Sequence, residues 1–304
     1  MSPPPTLPGW VIRLQSGFYT VATAGGLVTC SLRGRLKRRT FAGDVIAVGD
    51  QVQISLQPDG SGAIESIEPR RSELVRLDPT PRGVYRQILL ANPEQVVLVF
   101  ACAHPEPRLG MLDRFLVICE KQRIPPLIVI NKIDLLGPAR AREKFAAYPP
   151  LGYPVLFTSA SQAVGVDELR ARLAGKVSAL AGPSGAGKSS LLNAVQPGLG
   201  LAVRDISSAT GKGRHTTIVR QMFPLDGGGF VADLPGLRAL ALWDTQPEEL
   251  DGYFPELRAL VPHCQFNDCS HTHEPGCAVR SALAAGRIDR SRFDSYLRLR
   301  AGED

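Results

Sequence analysis

No stretch of this 304-residue chain is apolar for long enough to cross a bilayer. The longest run, "VVLVFACA" at 96–103, falls far short of the ~20 residues that a membrane-spanning helix requires. The N-terminus, "MSPPPTLPGW", has no basic segment followed by an apolar one, so no secretory signal is expected; its four prolines read as a short disordered tail, 1–9. Charge is not extreme: charged residues make up 21% of the chain and apolar ones 44%, as in an ordinary soluble globular protein. The formal charge of +6 and pI near 9.1 permit a polyanionic partner without requiring one. Cysteine is sparse and unevenly placed. Of six, Cys30, Cys102 and Cys119 stand alone in apolar surroundings and read as reduced core residues, whereas Cys264, Cys269 and Cys277 cluster among histidines. The expectation is a cytoplasmic chain without membrane association, long enough for two or more domains.

From 10 to 75 the sequence runs in short alternating segments broken by glycine, such as "WVIRLQSGFYTVAT" and "DVIAVGDQVQISLQ". Period-2 alternation over several short strands predicts a small β-barrel, here of five-stranded OB type. One connection holds "RGRLKRR", with Arg33, Arg35, Lys37, Arg38 and Arg39, which suits either a solvated hairpin or contact with nucleic acid. Residues 76–94 read as a polar, proline-containing linker. Over 95–245, continuous apolar strands ("QVVLVFAC", "PLIVIN", "PVLFTS", "KVSALAG") alternate with helical patterns, the signature of a parallel, doubly wound α/β sheet. Residues 246–304 form a smaller, helical third region.

The central region carries nucleotide motifs. Gly182 to Ser189, "GPSGAGKS", fits G-x-x-x-x-G-K-[ST] between a strand and a helix, the context a phosphate loop needs. Gly182, Gly185 and Gly187 let the backbone curl around phosphates, with Pro183, Ser184, Ala186 and Ser190 completing the loop and helix start. Lys188 supplies charge to the β- and γ-phosphates and Ser189 a hydroxyl to Mg²⁺. "NKID" at 131–134 ends the strand "PLIVI". Asp134 can accept paired N–H bonds from guanine, a donor pattern adenine lacks, and Asn131 can meet the carbonyl edge, with Lys132 between them. "TSA" follows another strand, placing Ser159 and the amide of Ala160 near the same base. "DLPG" ends the strand "GGFVA": Asp233 would hold Mg²⁺ through water and the Gly236 amide would touch the γ-phosphate. The intervening "SSATGKGRHTTIVRQ" offers Thr216 or Thr217 to Mg²⁺ or the γ-phosphate. Four strand-end motifs thus converge on GTP.

Their order is unusual. The base-reading motif precedes the phosphate loop, which is the ordinary GTPase order taken cyclically, so the domain reads as circularly permuted. The element after "DLPG" then leads directly into the C-terminal region. Leu237 occupies the position where many GTPases have a water-orienting glutamine, and an apolar side chain cannot do that work; His215 is the candidate that can. The position where some GTPases use an asparagine for potassium is Gly185, which offers no such ligand.

"HCQFNDCSHTHEPGC" at 263–277 offers three thiols and several imidazoles, a donor set suited to a closed, structural tetrahedral Zn²⁺ site. Cys264, Cys269, His271 and Cys277 are the candidate ligands, with His263 and His273 as rivals to His271 on spacing. Metal would replace the core that so short a region cannot build. Arg280, Arg287, Arg290, Arg292, Arg298 and Arg300 follow on helical patterns and read as exposed, either solubilising or RNA-facing.

A β-barrel, a permuted GTPase with "GKGRHTT" and "DLPG", and a Cys/His tail together resemble the ribosome small subunit-dependent GTPase A family (RsgA/YjeQ type) over nearly the whole chain. Leu234 and Pro183 depart from residues common there, threonine and glutamine, without removing an assigned ligand. The resemblance implies a monomeric GTPase that cycles between GTP and GDP. It also implies coupling of hydrolysis to late maturation of the small (30S) ribosomal subunit, stimulation by that subunit, and contact with 16S rRNA through the OB and zinc domains. It further implies catalysis by His215 and zinc ligation by His271.

Overall fold

The computed structural model describes residues 5–15, 17–37, 44–80, 83–201, 221–233 and 245–303. Of the expected site residues, His215, Thr216, Thr217 and Gly236 lie outside the described residues, as do Leu234, Leu237, Arg38 and Arg39.

Five short strands open the chain: β1 (Leu7–Gln15), β2 (Phe18–Thr23), β3 (Gly26–Leu32), β4 (Gln51–Leu56) and β5 (Gly62–Ile67). Val11, Val21, Cys30, Val52, Ile54 and Ile64 point inward from alternate positions and fill the interior. The strand order is β1-β2-β3-β5-β4, and β4 pairs back onto β1, so the sheet closes on itself. This is the expected OB-type barrel. It begins earlier than residue 10, because Leu7, Pro8 and Gly9 pair with Ile54, Gln53 and Val52. Proline within a strand hides it from a sequence reading, so Leu7, Pro8 and Gly9 belong to the barrel and not to the expected tail of 1–9.

The same effect concealed a hairpin. Residues 76–94, read as a linker, lie largely in β6 (Glu73–Thr80) and β7 (Gly83–Ala91), which pair antiparallel along their length despite Pro79. The hairpin braces the barrel: Ile88 N–H donates to Asp44 Oδ2 (2.9 Å), and Arg70, just before β6, grips the buried Asp50 carboxylate (2.6 and 2.8 Å).

The central sheet comprises β8 (Gln95–Ala101), β9 (Pro126–Asn131), β10 (Val155–Phe157), β11 (Lys176–Ala181), β12 (Gln221–Pro224) and β13 (Gly229–Asp233). Its order is β10-β9-β8-β11-β13-β12. All neighbours are parallel except β12, which runs antiparallel to β13 and touches barrel strand β1 through Arg13 and Gln221. Both faces are covered. On β8, Val96, Leu98 and Phe100 pack toward helix α2 (Leu109–Gln122), while Val97 and Val99 pack toward α4 (Val166–Leu173) and α5 (Lys188–Val195). That double burial is why the strand reads as one unbroken apolar run. Among the described residues the first two regions also hold the single turn α1 (Gly34–Lys37) and α3 (Pro138–Lys144).

The C-terminal region consists of a 3-10 turn (Pro247–Tyr253) and helices α6 (Pro255–Arg258), α7 (Ala278–Ala284) and α8 (Arg290–Arg300). Leu250, Phe254, Leu257 and Tyr296 form its core together with Val117 of α2, so it is docked on the central α/β domain. Arg292 is 1% exposed and sits at that junction, which removes it from the expected set of exposed arginines. Its guanidinium donates to Asp113 of α2 (2.7 Å) and to both carboxylate oxygens of Glu256 (2.7 and 3.2 Å), and lies over the Phe254 ring at 4.6 Å. Tyr148 Oη also donates to Asp113 (2.9 Å). The buried Arg292 charge is thus paired at all three of its nitrogens, whereas both donors to Asp113 share Oδ1 and its Oδ2 finds no hydrogen-bond partner among the described residues. Among the described residues no helix is long and apolar enough to cross a membrane.

Candidate nucleotide site and metal centre

Because β8, β9, β10, β11 and β13 are parallel, their carboxyl ends share one edge, where ligands bind in open α/β sheets. Asn131 ends β9, Thr158 follows β10, Gly182 follows β11 and Asp233 ends β13. Four of the motifs found in the sequence therefore meet at one crevice.

The loop after β11 is shaped by close backbone approach. Gly182 has φ 140°, and a Cβ there would lie 2.0 Å from the Val99 carbonyl oxygen. Gly187 has φ 85°, and its absent Cβ would lie 2.5 Å from Asn131 Nδ2. No other residue fits either place. Pro183, Ser184 and Gly185 complete the curl, Ala186 is buried beneath it, and α5 starts at Lys188 and carries Ser189 and Ser190 in its first turn. Lys188 Nζ folds back to donate to the Gly182 and Pro183 carbonyls (2.9 and 3.0 Å).

Asn131 ties the base-reading motifs to this loop. It is 1% exposed; its amide donates to the Ala186 carbonyl (3.0 Å), and its oxygen accepts from Ala160 N–H and Thr158 Oγ1 (both 3.2 Å). Lys132, in the left-handed region at φ 63°, sends its ammonium to the His104 carbonyl (2.6 Å). Asp134 is exposed toward the crevice edge and accepts from Ser159 Oγ (2.5 Å). Ser159 has one proton and gives it to Asp134, so its contact with Ser161 Oγ (3.0 Å) is one in which Ser161 donates. Thr158 had no role assigned from sequence, where a buried hydroxyl after a short strand carries no signal of its own.

Asp233 lies in register with Leu180 of β11. Its Oδ1 is buried and finds no hydrogen-bond partner among the described residues. Burial pushes this carboxyl above the usual carboxylate range, and the nearby Lys188 ammonium pulls it back. A buried acceptor left open beside a phosphate loop fits a cation such as Mg²⁺, and Ser189 in the first turn of α5 is the hydroxyl that the loop motif offers to it.

Far along the chain, Cys264, Cys269, His271 and Cys277 bring their ligand atoms within 4.8 Å of one another. His263 and His273 are exposed and outside this cluster. His271 is fully buried; its Nδ1 faces the Cys264 and Cys277 sulfurs (3.7 and 3.4 Å), while Nε2 lies 3.1 Å from Asp251 Oδ2. Cys277 caps α7, its sulfur accepting from Arg280 N–H (3.4 Å). Burial pushes the Cys269 thiol up to about 12, with the Cys277 and Cys264 sulfurs adding to the rise. The cluster can hold a metal ion. Asp251 had no signal in the sequence, being 20 residues from the histidine it meets.

A closed OB-type barrel, strand-end motifs in permuted order around a phosphate loop, and a Cys/His cluster define a circularly permuted P-loop GTPase whose tail can hold a metal ion. The RsgA GTPase family model matches residues 67–243 and the RsgA N-terminal domain model residues 8–64. The small ribosomal subunit biogenesis GTPase RsgA of Gemmatimonas aurantiaca is 45% identical over 96% of both chains. The protein of the same name from Moorella thermoacetica is 43% identical over 95% of this chain and 94% of its own. Among solved structures, YjeQ from Thermotoga maritima superposes with TM-score 0.79 at 35% identity, covering 98% of each chain. YloQ, described as a circularly permuted GTPase, superposes with TM-score 0.74 at 31% identity, covering 98% of this chain and 95% of its own. The chain belongs to the RsgA GTPase family and is a GTPase.

Proposed function

We propose that this chain binds the small (30S) ribosomal subunit and couples GTP hydrolysis to a late step of its maturation, with turnover stimulated by that subunit. Support comes from the full-length similarity to relatives named as small ribosomal subunit biogenesis GTPases, together with a crevice that joins base-reading and phosphate-binding motifs. The observation that carries the nucleotide reading is the Asn131 bridge from the base-reading strand to the phosphate loop.

In this reading GTP lies along the carboxyl edge of the sheet. Asp134, oriented by Ser159, reads the guanine N–H groups, and Asn131, Lys132 and Ala160 line the base. The backbone from Gly182 to Gly187 and the start of α5 at Lys188, Ser189 and Ser190 wrap the phosphates, whose oxygens take the Lys188 ammonium from the carbonyls it now meets. Ser189 and Asp233 would hold Mg²⁺, which neutralises charge developing on the transferred phosphoryl group. Thr216 or Thr217 and Gly236 complete the γ-phosphate contacts, and His215 orients the attacking water.

The Cys264, Cys269, His271 and Cys277 cluster holds Zn²⁺ as a structural ion, since four protein ligands leave no open position. The exposed Arg280, Arg287, Arg290 and Arg298 beside it, and the basic loop of the barrel, suit contact with 16S rRNA. Arg33 of that loop is also tied to Glu65 (2.9 Å). The protein acts as a cytoplasmic monomer. The test is retention of 30S particles by the tagged chain with a non-hydrolysable GTP analogue and with GDP. Retention with the analogue and release with GDP are expected; equal retention in both states would make this a constitutive RNA-binding protein with a structural GTP site.

A further inference from the structure

We propose that Asp251 is a positioning residue of the metal centre, and that through it the bound metal holds the 3-10 turn Pro247–Tyr253 in place. This rests on the reading of the Cys/His cluster as a zinc site.

A histidine offers a metal only the ring nitrogen that carries no proton, so the partner of its other nitrogen decides which one binds. Here Nδ1 of His271 faces the Cys264 and Cys277 sulfurs, whereas Nε2 faces the Asp251 carboxylate at 3.1 Å. A carboxylate accepts and never donates when ionised, so it fixes the proton on Nε2 and leaves the Nδ1 lone pair aimed at the three sulfurs. The ring is completely buried and packs 6.0 Å from Tyr296, so it has no water to take over that role. The side chain of Asp251 is itself only 15% exposed, which strengthens the bond.

The four ligands come from one short stretch, 264–277, but Asp251 comes from elsewhere. Its turn begins three residues after the segment that follows "DLPG", and it is clamped to the rest of the molecule. Lys121 of α2 donates to Thr245 Oγ1 (2.9 Å), Arg300 of α8 donates to the Pro247 carbonyl (2.5 Å), and Leu250 is buried in the C-terminal core. The Asp251–His271 bond therefore joins the turn Pro247–Tyr253 to the metal centre. Whatever removes the metal frees the imidazole and loosens the turn.

The experiment uses the full chain in three forms: unaltered, Asp251→Ala and Asp251→Asn. Zn²⁺ affinity is measured by competition with a chromophoric chelator, the visible bands are recorded for the Co²⁺-loaded chain, and amide hydrogen exchange is followed over 247–253. Asp251→Ala is expected to weaken Zn²⁺ binding roughly 10- to 100-fold and to shift the Co²⁺ bands. Asp251→Asn, whose side-chain carbonyl still accepts from Nε2–H, is expected to recover part of the loss. Exchange in the turn should quicken on chelation in the unaltered chain and be quick already in zinc-loaded Asp251→Ala. Affinity within twofold of the unaltered chain in Asp251→Ala, with unshifted Co²⁺ bands, would overturn the proposal. So would exchange in the unaltered chain that chelation leaves unchanged. An unaltered chain that binds no Zn²⁺ defeats the zinc reading itself, which separates the two failures.

Discussion

Replacing Asn131 with alanine tests the joint between the two halves of the nucleotide site. The substitution removes one bond donated to the Ala186 carbonyl and two accepted, from Ala160 N–H and Thr158 Oγ1. All three partners lie on loops of the proposed nucleotide site, and the asparagine is 1% exposed, so water does not replace what is lost. At about 0.5–1.5 kcal/mol per net hydrogen bond, three bonds come to about 1.5–4.5 kcal/mol. Those bonds hold the loops to one another, so the loss falls mainly on binding, as roughly a ten- to two-thousandfold weaker affinity for GDP. The assay is titration of a fluorescent guanine nucleotide, with thermal unfolding as a control. Affinity within threefold of the unaltered chain, with an unchanged melting temperature, would refute the reasoning.

Asp134→Asn should abolish the preference for guanine over xanthine nucleotides, because an amide cannot accept both base N–H groups; competition binding with both nucleotides decides it. Arg292→Met leaves Asp113 and Glu256 buried without their cation and should cost about 3–5 kcal/mol in denaturant unfolding. Thiol alkylation of the native, zinc-loaded chain near neutral pH should spare every cysteine, while chelation should open Cys264, Cys269 and Cys277 alone. Cys30 stays inert in both because burial pushes its thiol up to about 11, and mass spectrometry of the alkylated peptides reads the pattern.

The parts legible in the sequence were those written in a few adjacent residues. "GPSGAGKS", "NKID" and "DLPG" each sit where a strand ends, and short apolar runs betray those strands; the alternating barrel segments are local patterns of the same kind. Contacts across long separations left no trace. Arg292 meets Asp113 over 179 positions, so an arginine on a helix full of arginines read as exposed when it is the buried pin between two domains. The hairpin β6–β7 was hidden by its prolines, which local rules treat as strand breakers.

One consequence of the permutation also changes with the structure. The segment after "DLPG" does lead into the C-terminal region, but that region is seated on α2 by Arg292, Lys121 and the Val117 core. The C-terminal region is thus anchored on the central domain by contacts of its own.

The most direct test of the central claim is the rate of GTP hydrolysis by the purified chain with and without purified 30S subunits. The account predicts slow basal turnover that rises strongly with subunits, and a rise lost in His215→Ala that still binds guanine nucleotide. Identical rates with and without subunits would contradict it.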